Sequence, residues 1–253
     1  LKRASEMLRS LVGSEMCIRD RHRVNECDAR KGTVGVDDML RETSKYTDFT
    51  LFVSNWMKEY HQSRSWKCDA TSVFINGINK DHFFPREKMN NGKINIVTHH
   101  WSNNDLKGFD IYKELDECVA KNPEFTFTYI GREQGGFKNT KVVPPLFGKD
   151  LGDELGKYDV YVSASRHDPG PNHILESLAC EIPTYAHVEG GGAVEFSGDS
   201  HTFSSMEDLE KILLSKDYQK NSMLPEDWSD RMSILFDQLE LKVGHEKNKN
   251  SLF

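Results

Sequence analysis

The sequence predicts an α/β protein built on a doubly wound parallel sheet. Three observations lead there. Short apolar runs rich in β-branched and aromatic residues recur along the chain, several apolar nearly throughout, as strands buried on both faces require. Amphipathic helical patterns lie between them, and from Ile94 onward the alternation has the spacing of βαβ units. Loops that would follow strands gather Gly, Pro, Asn, His and charge, as expected at the ligand-binding end of such a sheet.

In order, the expected strands are Thr50–Ser54, Ser72–Ile75, Ile94–Thr98, Phe125–Ile130, Lys141–Val143, Asp159–Ser163 and Thr184–His187. Lys107–Lys121 places Phe109, Tyr112, Leu115 and Val119 on one helical face, and Pro123 stops it. Asn172–Glu181 and Met206–Leu214 also read as helices. The ligand loops are then Thr98–Lys107, Gly131–Asn139, Pro144–Lys149, Ala164–Pro171 and Val188–Glu195.

The chain has 253 residues, 37% of them hydrophobic and 10% aromatic, which supports a packed core and excludes a disordered chain. Net charge is -7, from 33 basic and 40 acidic residues, so no overall field attracts nucleic acid or anionic membranes. Any phosphate must be held locally. Cys17, Cys27, Cys68, Cys118 and Cys180 are odd in number and widely spaced, which reads as reduced thiols in a cytoplasmic protein; a peripheral place at a membrane stays open. No apolar run is long enough for a transmembrane helix, and the N-terminus lacks the apolar core of a signal peptide.

Four segments are expected. Residues 11–21 read LVGSEMCIRDR, which looks like a translated sequencing-library adaptor, so 1–22 are set aside, native sequence is expected to resume near Arg23, and the protein is expected to be truncated upstream. Residues 23–68 read as the remnant of an N-terminal domain, too small to bury a core alone; the resemblance given below implies an acceptor domain there. Ile75-Asn76-Gly77-Ile78-Asn79 through Pro85 reads as a hinge, and the boundary is set near Asp69. Residues 69–242 form the ligand-binding domain, and 243–253 a charged tail. Trp56, Trp66 and Trp228 read as packing residues.

The most informative segment runs from Ser163 to Pro183. A buried strand ends, a loop stiffened by Pro169 and Pro171 follows, and a helix opens at Asn172 with free N–H groups, a ready anion site. Asp168 and Glu176 frame it, and Ala179-Cys180-Glu181-Ile182-Pro183 closes it. This segment resembles the signature of family 4 glycosyltransferases, retaining enzymes of the GT-B fold with two Rossmann-like domains. Asn76-Gly77-Ile78-Asn79 with Phe83 and Pro85 resembles their hinge, Lys107-Gly108 their first donor-domain helix, and Gly190-Gly191-Gly192 with Glu195 their Gly-Gly-x-x-Glu loop.

The resemblance implies a nucleotide-diphospho-sugar donor, an unnamed acceptor (glycan, lipid or protein), no metal and no other cofactor. Asp168 would contact the transferred sugar, Glu176 the ribose hydroxyls, and Lys107 the departing phosphate. Gly170 and the main-chain N–H groups of Asn172, His173 and Ile174 would hold the diphosphate. Phe147, in the loop Pro144–Lys149, and Arg132 complete the expected nucleotide contacts. Two departures stand out. The first acid is Asp168 where the family has Glu. Ser102 stands where many members carry Arg, so the expectation is that one phosphate charge goes unpaired or that a His or Arg132 substitutes.

Taken singly, these residues have plainer readings: Lys107 as a surface lysine, Asp168 as a loop acid, Glu176 as a carboxylate complementing the helix dipole, and the glycine triplet as a turn. His99, His100, His167 and His173 lack any metal-ligand spacing. Alternative functions are a nucleotide-sugar epimerase on the same plan and a non-catalytic nucleotide-binding module. Without an acceptor half, the chain by itself is expected to bind donor weakly and to transfer nothing.

Overall fold

The computed structural model describes residues 21–67 and 70–236. Residues 1–20, the boundary at Asp69 and the tail 243–253 lie outside the described residues.

Two parallel sheets are present among the described residues. The larger holds β4 (Ile94–His100), β5 (Phe125–Gly131), β6 (Lys141–Val143), β7 (Val160–Ser163), β8 (Thr184–His187) and β9 (Thr202–Phe203), in the order β6-β5-β4-β7-β8-β9. Counted from β4, this is 3-2-1-4-5-6, the order of a doubly wound sheet whose direction of winding reverses between its first and fourth strands. The reversal therefore falls between β4 and β7, which pair through Ile96–Val160 and Val97–Tyr161.

The strands read as continuous apolar runs because both faces are covered. Successive side chains point to opposite faces. Ile96, Phe127, Tyr129, Val160 and Val162 pack on one side, against α4 (Phe109–Lys121) and α8 (Met206–Ser215). Val97, Ile130 and Tyr161 pack on the other, against α5 (Gly148–Leu155), α6 (Asn172–Ala179) and α7 (Gly192–Ser197).

The smaller sheet is β1 (Arg21–Val24), β2 (Phe49–Phe52) and β3 (Thr71–Val73), all parallel. Its helices are α1 (Asp28–Lys31), α2 (Val36–Ser44) and α3 (Asn55–Ser63). Val24, Cys27, Phe52, Met57 and Trp66 form a small apolar cluster there. The strand β1 starts at Arg21, two residues before the expected resumption of native sequence, because Arg21 and His22 pair with Phe49 and Thr50.

The two sheets meet at their carboxyl ends. The Ser54 hydroxyl donates to the Pro169 carbonyl at 2.5 Å. Residues 226–228 return to the hinge, where Ile78 N–H donates to Glu226 O at 3.0 Å and Trp228 N–H to Ile78 O at 2.9 Å.

Other differences from the sequence reading have local causes. Gly108, at φ 84, interrupts the helix expected over Lys107–Lys121, leaving a 3-10 turn at Asp105–Lys107 before α4. The helix α6 stops at Ala179 because Glu181 takes φ 51 and Ile182 N–H bonds back to Ser177 O.

Candidate functional site

The loops after β4 and β7 flank the winding reversal, where a doubly wound sheet binds its ligand. Each brings one charged residue to it. Lys107 ends the 3-10 turn, which the Asn104 side chain caps by accepting from Leu106 N–H at 2.9 Å. Gly108 then packs on Ala164; a Cβ there would lie 2.2 Å from the Ala164 carbonyl oxygen. This close approach aims Lys107 across the reversal, and its Nζ reaches Asp168 Oδ2 at 2.7 Å.

Asp168 is held by the glycine triplet. Its N–H donates to Gly190 O at 3.1 Å and its carbonyl accepts from Gly192 N–H at 2.8 Å. A Cβ on Gly192 would stand 2.6 Å from Pro169 O, and Gly191 sits at φ 68 against the Trp56 ring. The triplet thus presses two loops together and fixes the acid. Burial alone would raise the Asp168 carboxyl; Lys107 beside it and Arg30 farther off outweigh that and hold it below the usual carboxylate range.

Next comes the amino end of α6. Among the described residues, the N–H groups of Gly170, Asn172 and His173 have no hydrogen-bond partner. Ile174 is different: its N–H donates to Pro171 O at 3.1 Å, and the residue does not border the cleft described below. Gly170 has a second constraint, since a Cβ there would meet Val53 at 2.7 Å.

Glu176 lies one turn further along α6, with Oε2 2.6 Å from His99 Nε2. His173 bonds the Ser163 hydroxyl at 2.9 Å, and His100 bonds the Tyr112 hydroxyl at 2.7 Å. Burial pushes both His100 and His173 well below the ordinary histidine value, so they are neutral near pH 7. No cluster of three metal-ligating side chains occurs among the described residues.

These groups line one cleft of about 360 Å³. Lys107, Asp168, Gly170, Asn172, His173, Glu176 and Phe147 all border it. At its mouth Phe147 packs edge-on against Trp101, ring centroids 4.9 Å apart. Arg132 does not border the cleft; its guanidinium lies 4.2 Å over the Trp101 ring. Glu195 is also elsewhere: its carboxylate caps α3 by accepting from the N–H groups of Asn55 and Trp56 at 3.1 and 2.8 Å. Arg30 and Trp101, which the sequence reading passed over, do border the cleft. Trp101 follows the end of β4, a position that could have flagged it; nothing local to Arg30 marks it.

No protein-family profile matches the chain, and no curated protein matches it. Solved structures do. The chain is similar to TarM (13% identity, TM-score 0.63), over 78% of this chain and 43% of that one. It is similar to Anabaena HepE in complex with UDP and glucose (14%, TM-score 0.69), over 87% and 71%. It is also similar to sucrose-phosphate synthase from Thermosynechococcus elongatus (15%, TM-score 0.63), over 97% and 70%. The chain therefore spans less than half the length of TarM. What is shared at these identities is the fold, mixed α/β with parallel Rossmann-like sheets. Among the described residues, no helix is long and apolar enough to cross a membrane.

Proposed function

We propose that this chain carries the donor site of a retaining, family 4-type glycosyltransferase that takes a hexose from a nucleotide-diphospho-sugar. One observation carries the reading. A buried ion pair, Lys107 with Asp168, stands beside a helix amino end with unsatisfied N–H groups, and Glu176 follows on the same helix. The free N–H groups and the helix dipole suit a diphosphate. Lys107 would neutralise the charge that grows on the leaving phosphate, the main demand as the sugar gains oxocarbenium character. Asp168, already anionic, would face that positive character. Glu176 would accept from the ribose hydroxyls. A cation and a dipole fill the role that a metal has in other transferases, so none is called for.

HepE was solved with UDP and glucose, which supports a uridine donor as the first to try. The three described cysteines, Cys27, Cys118 and Cys180, are free thiols, in keeping with a cytoplasmic place.

The test is calorimetric titration of UDP, GDP and ADP, each against its monophosphate. One diphosphate should bind, and bind tighter than its monophosphate. Failure of the whole panel would sink the proposal. Transfer and its stereochemistry would then be followed with labelled donors.

A further inference from the structure

The cleft is short of positive charge. Its bordering residues include two with permanent cations, Lys107 and Arg30. Lys107 is committed to Asp168 at 2.7 Å, so much of its charge is already neutralised. Ser102 borders the cleft but carries no charge, and Arg132 is spent on the Trp101 ring. His100 and His173 are neutral. A diphosphate with a negative charge on each phosphate would be underneutralised by the larger sheet alone.

Arg30 comes from the other sheet, in the last turn of α1. That turn is rigidly built. The Asp28 carboxylate accepts from the Thr33 hydroxyl at 3.0 Å and from the N–H groups of Gly35, Val36 and Asp37 at 3.1, 3.0 and 3.2 Å. Gly32, at φ 62, ends the helix directly after Lys31. Arg30 now bonds Glu26 at 3.1 Å, but Lys31 bonds the same Glu26 oxygen at 2.8 Å. The carboxylate stays paired if Arg30 turns away. Its side chain is one-third exposed (33%) and free to do so.

We propose that Arg30 is the second cation of the donor site and that it binds the diphosphate from the smaller sheet. The inference rests on the donor-site reading above and adds to it. Guanidinium is suited to the task because its planar fork meets two phosphate oxygens at once. A donor held by Lys107 and α6 on one side and Arg30 on the other would bridge the two sheets, so donor binding would also order their contact.

The experiment uses the 253-residue chain and whichever diphosphate the panel selects, starting with UDP. Affinities of UDP, UMP and uridine are measured at low and high salt for the parent, Arg30→Gln, Arg30→Lys and Lys93→Gln. Lys93 lies outside the cleft, just before β4, and serves as a surface-charge control. Arg30→Gln should weaken UDP by about tenfold, leave uridine unchanged and flatten the salt dependence. Arg30→Lys should recover part of the loss, and Lys93→Gln should match the parent. Parent-like UDP affinity and salt dependence in Arg30→Gln would overturn the inference while leaving the donor site intact. A parent that binds no diphosphate would instead remove the donor-site reading and this inference with it, before any variant is measured.

Discussion

The Lys107 ammonium lies 2.7 Å from Asp168 Oδ2, with the two side chains only 15% and 6% exposed. One comes from the loop after β4 and the other from the loop after β7, so the pair spans the point where the sheet's winding reverses. Breaking such a pair leaves a buried charge alone. Lys107→Met should cost on the order of 3 kcal/mol, and Lys107→Met with Asp168→Asn distinctly less. Urea denaturation of the parent, the single variant and the double variant would show it; an equal loss in both variants would mean the pair is not coupled.

The same pairing changes what the two acids should do. In Asp168→Asn, Lys107 loses its partner and turns its full charge to the phosphates, so diphosphate affinity should rise severalfold. If the proposed transfer takes place, its turnover should fall about tenfold, roughly 1.4 kcal/mol of barrier, because the anion near the reacting sugar is gone. Glu176→Gln should raise the donor KM and weaken the diphosphate, a loss common to ground and transition states. Calorimetry with steady-state kinetics separates the two. Weaker diphosphate binding in Asp168→Asn would put that carboxylate on the wrong part of the donor.

Acid should destabilise the fold in two separate windows. Burial keeps His100 and His173 neutral in the native state well below the ordinary histidine value. The unfolded chain takes up these protons once the pH drops below about 6.5, so stability falls from there, by up to about 1.4 kcal/mol per pH unit for each. Asp168 adds a loss of the same sign at lower pH. Its depressed carboxyl adds stability above about pH 4, lost as acid titrates it. Unfolding free energies at pH 7.5, 6.5 and 5.5 should therefore decline at the last step, and His173→Gln should make the decline shallower. A flat profile over that range would contradict the burial argument.

Gly108→Ala tests how Lys107 is aimed. The position has φ 84, and a Cβ would enter the Ala164 carbonyl at 2.2 Å. The substitution should cost about 2 kcal/mol or more and move Lys107 off Asp168. Thermal melting reads the first effect. Loss of diphosphate affinity reads the second, and unchanged affinity would show that Lys107 is placed by something else.

Glu195 should matter for the contact between sheets. Its carboxylate caps α3 from the other side of that contact. Glu195→Ala should cost about 1 kcal/mol and speed amide exchange in Asn55–Ser63. Exchange as slow as in the parent would mean that the Ser54 and Met57 cap bonds hold the helix unaided.

Much of the larger sheet was legible before folding. Lys141–Val143 and Thr184–His187 match their strands to the residue, and Ile94 and Phe125 begin theirs as read. The strands that begin at Ile94, Phe125 and Thr184 are largely buried, so an apolar run is imposed on them locally, whereas Lys141–Val143 is an exposed edge strand. The strand at Arg21–Val24 was missed because its identity comes from pairing with Phe49–Phe52, and the two-residue strand at Thr202–Phe203 is too short to leave a pattern.

For the cleft, the βαβ alternation in the sequence marked the loops that follow strands, and the motif resemblance singled out Lys107, Asp168 and Glu176, all of which border it. Tertiary structure decided the pairings. Whether an amide is free depends on which carbonyl folds back on it, so Ile174 is spoken for while Asn172 and His173 are open. Glu195 turns to the amino end of α3, and Arg132 to the face of Trp101. Arg30 reaches the cleft from the smaller sheet, which contacts such as Ser54 with Pro169 and Trp56 with Glu195 hold against the larger one. The Glu195, Arg132 and Arg30 placements are contacts between residues far apart in the chain, set by packing geometry that no local pattern of residue types encodes.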